Sequence, residues 1–189
     1  QCVVIGGGHA GVEAALASAR MGIKTALLSL FVDTIGQMSC NPAIGGVGKG
    51  QLVKEIDALG GEMGLAADRT GIQFRQLNAS KGKAVRSSRC QSDRKFYKLY
   101  MQNVVRHQKN LVVLEDKVGE MIVVNGEIKG IRTESGVNVE CRSLVITAGT
   151  FLGGRIHIGK QITPGGRIGE PNSTRLVDNL KDFGFEILF

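Results

Sequence analysis

The first eleven residues constrain this chain more than any others. Cys2-Val3-Val4-Ile5 runs straight into Gly6-x-Gly8-x-x-Gly11, and an alanine-rich segment follows to about Met21. Strand, tight turn and helix in that order are the context in which this glycine spacing points to a bound dinucleotide rather than a structural turn. Each glycine has a separate job: Gly6 permits the turn, Gly8 lets backbone approach a pyrophosphate, and Gly11 lets the helix pack on the strand. The free N–H groups and partial positive charge of the helix N-terminus add an anion site. The phosphate cradle is therefore expected over Gly6, Gly7, Gly8, His9, Ala10 and Gly11.

Lys24 to Ser29 reads as the second strand of a βαβ unit. Dinucleotide sites of this kind usually carry Asp or Glu at the end of that strand, for the ribose hydroxyls. Here the strand ends Ser29-Leu30-Phe31, and Asp33 comes a few residues late. The ribose contact is left to Ser29, to backbone groups, or to Asp33 reaching back.

Residues 33–50 form a glycine-rich stretch with a polar cluster of Gln37, Ser39, Cys40, Asn41 and Lys49. It is not a Walker phosphate loop. With Gly48-Lys49 in place, the first glycine should stand at Ala43, and Ser or Thr should follow Lys49, where Gly50 stands. A long loop with this many glycines suits an active site where backbone approaches a ligand. Cys40 is the best candidate for a reactive thiol, provided Lys49 folds close enough to favour its thiolate. The alternative is a small buried side chain, which most free cysteines are.

A helical pattern follows from Gly50 to Gly60, then a loop-rich region from Asp68 to Arg89. A helix is predicted from about Gln91 to Gln108 with Phe96, Leu99, Tyr100 and Val104 inward. Between Arg75 and Lys109 there are ten Lys or Arg against one acid, Asp93. That excess suggests either a polyanionic partner or a solvated basic helix face. Strands are predicted at 111–115, 120–124, 127–133 and 137–141, with hairpin turns at Asn125-Gly126 and Ser135-Gly136. Leu144 to Thr150 then returns to the first sheet. The fold class is thus α/β, a Rossmann-like FAD/NAD(P)-binding domain over 1–189. Its parallel sheet carries an inserted three-stranded antiparallel meander at about 118–142. This arrangement favours FAD over NAD. A loop through Asn172-Ser173 and a helix from about Thr174 to Phe183 close the chain.

At 189 residues and 42% apolar, the chain suits one large domain or a domain and a fraction. It opens almost directly on a strand, as if trimmed from something longer. No apolar run approaches the ~20 residues of a membrane span. The four cysteines are widely spaced with no CxxC pair, so neither a disulfide scaffold nor a metal site is expected, and a reducing compartment fits. The net charge of +7 invites an anionic partner without naming one.

Taken together, Gly6 to Gly11, Asp33-Thr34-Ile35-Gly36-Gln37-Met38-Ser39-Cys40-Asn41-Pro42-Ala43-Ile44-Gly45-Gly46, Lys54 to Gly61 and Gly71-Ile72-Gln73-Phe74 resemble the GidA/MnmG family. The likeness continues through Leu77 to Gly82, Gly149 to Leu152 and Gly165-Gly166-Arg167, so it covers essentially the whole chain. The stretch from Gln37 to Gly46 is its most specific part. The departures are Lys83 where the family usually has proline, Cys90 and Ser92 in place of small alanines, and Leu30-Phe31 for a more polar pair.

The resemblance implies an FAD-dependent tRNA uridine-modifying enzyme, with NADH and methylenetetrahydrofolate as co-substrates. Such enzymes build a carboxymethylaminomethyl or aminomethyl substituent on C5 of the wobble uridine. They are homodimers that work with the GTPase partner MnmE, in the cytoplasm or, for an organellar homologue, the mitochondrion. On this chain it implies pyrophosphate contacts at Gly6 to Gly11, an adenine contact at the Val118 backbone and a further flavin contact at Ser173. It also implies a catalytic thiol at Cys40, and a tRNA or flavin cleft lined by Lys81, Arg86, Arg89 and Arg94. Family members continue beyond Phe189 with a nicotinamide-binding insertion and a helical C-terminal region, so 1–189 alone is expected to be inactive. Two rivals stand beside this reading. One is the folate/FAD-dependent tRNA 5-methyluridine methyltransferase; the other is a non-catalytic FAD-containing RNA- or GTPase-binding module.

Overall fold

A computed structural model describes residues 1–187; the last two residues of the expected domain lie outside the described residues. The chain opens with β1 (Cys2–Ile5), α1 (His9–Arg20) and β2 (Thr25–Ser29), the expected βαβ beginning. A short strand, β3 (Ala43–Gly45), precedes two helices, α2 (Lys49–Ala58) and α3 (Met63–Thr70). Next come β4 (Gly71–Leu77), β5 (Ser87–Ser92), α4 (Arg94–His107) and β6 (Leu111–Glu115). The meander is β7 (Val118–Val124), β8 (Glu127–Thr133) and β9 (Asn138–Glu140), followed by β10 (Ser143–Ile146). A hairpin, β11 (Arg155–Ile158) with β12 (Gln161–Pro164), leads to the last helix, α5 (Thr174–Asp182).

The central sheet is parallel, in the order β10-β1-β2-β6. The two central strands, β1 and the Ala26–Leu28 stretch of β2, are apolar and buried because both of their faces are covered, as parallel sheets require. Val4 and Leu27 pair in register and point to one side, where Val12 and Leu16 of α1 and Met101 of α4 cover them. Val3 and Leu28 point to the other, under Ile131 of the meander and Leu176 of α5. Each fully buried side chain of this size contributes roughly 1.5–3 kcal/mol. The meander is therefore a structural layer that closes half of the core. Its first turn holds Asn125 (φ 54°) and Gly126 (φ 76°) in left-handed conformations, which match the twist of a two-residue hairpin.

Three expectations need correction. Residues 33–50 are not all loop, because β3 and the start of α2 lie inside them, and 68–89 is not mainly loop. Instead β3, β5 and β4 pair as a small antiparallel sheet in that order. These strands show no apolar run because β4 is exposed along most of its length. The helix α3 also went unread. Its N-terminus is capped from a distance: the Glu13 carboxylate on α1 accepts from the backbone N–H groups of Glu62 (3.0 Å) and Met63 (2.6 Å). Finally, the inward face of α4 holds in part: Tyr100 and Val104 pack against the core, but Phe96 and Leu99 face out. Tyr97, Met101, Gln102 and Val105 are buried, while Phe96 and Leu99 are 63% and 46% exposed.

Candidate functional site

The glycine turn sits at the carboxyl end of β1, beside a cavity of about 470 Å³. Gly6 takes a left-handed backbone (φ 107°), and a Cβ there would lie 2.6 Å from the Thr147 carbonyl oxygen. The Thr147 hydroxyl donates to the Ile5 carbonyl (2.8 Å), so β10 steadies the turn. A Cβ on Gly11 would come within 1.8 Å of the Gly6 carbonyl oxygen, so the close approach of α1 to β1 demands glycine. Gly8 is different. Apart from its neighbours in the chain, nothing in the protein lies within 4 Å of where its Cβ would be, and its backbone (φ −72°, ψ −176°) suits any residue. The fold does not need glycine there; an occupant pressed against the turn would.

Gly6, Gly7 and Gly8 line the cavity, together with Cys40, Val118 and Ser173. Residues far apart in sequence thus line one cavity. Val118 is buried at the start of β7, and Ser173 precedes α5 with its N–H donating to the Phe151 carbonyl (2.7 Å). His9, Ala10 and Gly11 are not in the wall. The His9 ring turns inward to meet Tyr97 edge-on (5.7 Å between centroids), and its Nδ1 is buried without a partner. Burial, helped by the charge of Lys49, pushes the His9 imidazole below its ordinary value. Burial, with Glu13 and Glu62 nearby, pushes the Tyr97 phenol far up.

No carboxylate from β2 or its loop serves the cavity. Ser29 spends its hydroxyl on the Phe31 carbonyl (2.9 Å), and Asp33 is engaged through its carbonyl by the Gln102 amide (2.9 Å). Two acids line the cavity: Glu170, which pairs with Arg167, and Asp116, just after β6, which the sequence reading missed. Desolvation opposes its ionisation, yet hydrogen bonds from Ser135, Thr133 and the Lys117 N–H hold it below the usual carboxylate range. Its signal was present: it follows a strand adjacent to β2 in a parallel sheet, at the end where ligands bind.

Cys40 is exposed, whereas Cys2, Cys90 and Cys141 are buried. Its loop is fixed by side chains from three directions. Arg94 Nη2 donates to the Cys40 carbonyl (2.7 Å), Arg167 Nη2 to the Ser39 hydroxyl (2.7 Å) and Lys49 Nζ to the Ala43 carbonyl (3.0 Å). The Gly36 N–H also donates to the Gly7 carbonyl (2.9 Å), which hangs the loop on the glycine turn itself. Lys49 does fold close to Cys40; partial desolvation lowers its ammonium pKa, and the thiol's attraction opposes that shift.

The basic residues do not form one wall. Lys81 is exposed, and Arg86 Nε donates to its carbonyl (3.0 Å) as a strut within the β4–β5 loop. Arg89 stands directly opposite Arg75 across β4 and β5, beside a separate hollow of about 530 Å³. Arg94 is spent on the Cys40 loop. Among the described residues none of these four joins an ion pair, and no helix is long and apolar enough to cross a membrane. No group of three His, Cys, Asp or Glu gathers there to hold a metal.

A parallel sheet with a glycine turn at its carboxyl edge, opening at Gly8 into a walled cavity, defines a Rossmann-like dinucleotide-binding domain. The comparisons narrow that class. The chain belongs to the glucose inhibited division protein A (GidA) family, whose model matches residues 1–189. It is 57% identical over 186 residues to the tRNA uridine 5-carboxymethylaminomethyl modification enzyme MnmG of Aquifex aeolicus, covering 98% of this chain and 30% of that protein. The crystal structure of Aquifex aeolicus GidA superposes with a TM-score of 0.95 at 56% identity, over all of this chain and 31% of that one. A GidA-related protein from Thermus thermophilus matches at TM-score 0.67 and 17% identity, over all of this chain and 70% of that one, and shares the fold. The chain thus spans about a third of the length of its Aquifex relatives.

Proposed function

We propose that this chain is the FAD-binding portion of an enzyme that modifies the wobble uridine of tRNA at C5. The observation that carries the reading is Gly8, an open glycine that the fold itself does not require, facing a cavity at the helix N-terminus. The turn offers its backbone and the α1 N-terminus to the pyrophosphate, Val118 its backbone to the adenine, and Ser173 a further contact. Bound FAD would supply the redox chemistry, with NADH as reductant and methylenetetrahydrofolate as the one-carbon source.

The chain's own residues would act around it. A Cys40 thiolate adding at uridine C6 makes C5 a carbanion equivalent that can attack an electrophilic one-carbon unit. The wobble base lies in a loop and can be unstacked into a pocket at modest cost. Lys81, Arg86 and Arg89 would serve the RNA backbone. We assign the homodimer, the MnmE partnership and the cytoplasmic setting from the family resemblance.

Visible absorbance of the full gene product, with nucleoside analysis of tRNA from a strain lacking it, tests this reading. A flavin spectrum and loss of the C5-substituted wobble uridine are the expected results. Absence of flavin even after FAD is added would refute it.

A further inference from the structure

We infer that Arg94 is a positioning residue for the Cys40 thiol, holding the carbonyl of Cys40 itself so that the sulfur stands at the wall of the nucleotide cavity. This rests on the reading of Cys40 as the working thiol. The loop from Gly36 to Pro42 has no helix or strand to define its path, so its position depends on the groups that bind it. Of the hydrogen bonds among the described residues, the one from Arg94 is the only one that reaches Cys40.

The base of Arg94 is rigid. It is the first residue of α4; the preceding Asp93 caps that helix by accepting from the Phe96 N–H (2.9 Å), and Tyr97 is completely buried one turn later. The guanidinium adds a pre-organised, charge-assisted donor on a carbonyl 54 residues away in sequence. Arg167 on Ser39 and Lys49 on Ala43 brace the neighbouring residues, so Arg94 sets the middle of a three-point hold.

The test uses the full-length flavin-loaded protein and three variants, Arg94→Met, Arg94→Lys and Cys40→Ser. Alkylation of Cys40 by iodoacetamide is followed by mass spectrometry of its peptide, alongside kcat and KM for tRNA. Arg94→Met should slow alkylation and lower kcat by about three- to tenfold, equivalent to ~0.6–1.4 kcal/mol, with KM for tRNA within about twofold. Arg94→Lys keeps a charged donor and should recover most of both. An alkylation rate in Arg94→Met that is unchanged or raised overturns the inference. So does a rise in KM at constant kcat, which would return Arg94 to the RNA surface. Full activity in Cys40→Ser would instead sink the thiol reading, while the alkylation rates still decide whether Arg94 holds the loop. If Arg94→Met does not fold, Arg94→Gln replaces it under the same criteria.

Discussion

Changing Gly8 to Ala separates what the glycine turn does for the fold from what it does for a ligand. In the protein without ligand the new methyl group meets nothing within 4 Å beyond its chain neighbours, and the backbone at φ −72° and ψ −176° needs no adjustment. The folded state should therefore gain or lose almost no contact energy. The unfolded chain loses backbone freedom, which at a compatible site stabilises by about 0.4–1 kcal/mol. For a domain of this size that corresponds to a rise in Tm of roughly 1–4 °C. The same methyl group projects into the space a pyrophosphate must approach. Flavin content should thus fall sharply while the apoprotein is as stable as before or slightly more so. Scanning calorimetry of apoprotein, with absorbance at flavin wavelengths after reconstitution, measures both quantities. A lower apoprotein Tm would show that Gly8 serves packing, and undiminished flavin would show that the cofactor lies elsewhere; either result refutes the reasoning.

Gly11→Ala is the opposite case: its methyl group would stand 1.8 Å from the Gly6 carbonyl oxygen, a backbone atom that cannot swing aside. Overpacking of this kind should cost about 3 kcal/mol or more and lower the melting temperature with or without ligand; an unchanged melt would refute the packing role. Glu13→Ala removes the cap on α3 and should lower stability by ~1–2 kcal/mol in urea titration, with a shifted midpoint and a constant slope. His9 gives a pH dependence. Its folded pKa lies below the ordinary 6.5, so below that pH the unfolded chain takes up a proton that the folded chain resists. Stability should fall as pH drops from about 6.5 toward the lower folded value and then level off. In His9→Phe this portion of the slope should disappear, as melts between pH 7.5 and 5 would register; an identical slope would remove His9 from the explanation.

The parts legible in sequence were those where one local pattern settles the outcome. The unbroken apolar strands Val3 to Ile5 and Ala26 to Leu28 announce a sheet covered on both faces. Asn125-Gly126 fixes a hairpin by its backbone alone. The small sheet β3-β5-β4 was illegible because β3 is only three residues long, β4 is exposed along most of its length, and their order rests on pairing between Ala43–Gly45 and residues more than forty positions later. The face of α4 was misplaced in part because Phe96 and Leu99 look as apolar as any core residue. What decides the matter is Tyr97 meeting His9, a tertiary contact. Asp116 and the tie from Arg94 to Cys40 were missed for the same reason. Each depends on where a side chain lands after the chain has crossed the sheet.

The bond from the Gly36 N–H to the Gly7 carbonyl has a mechanical consequence. It makes the thiol loop a pendant of the turn, so whatever steadies or distorts the turn is felt at once by Cys40. With Cys40 as the proposed thiol, the cradle and the nucleophile share one piece of backbone, and a displacement of either is carried to the other through a single bond.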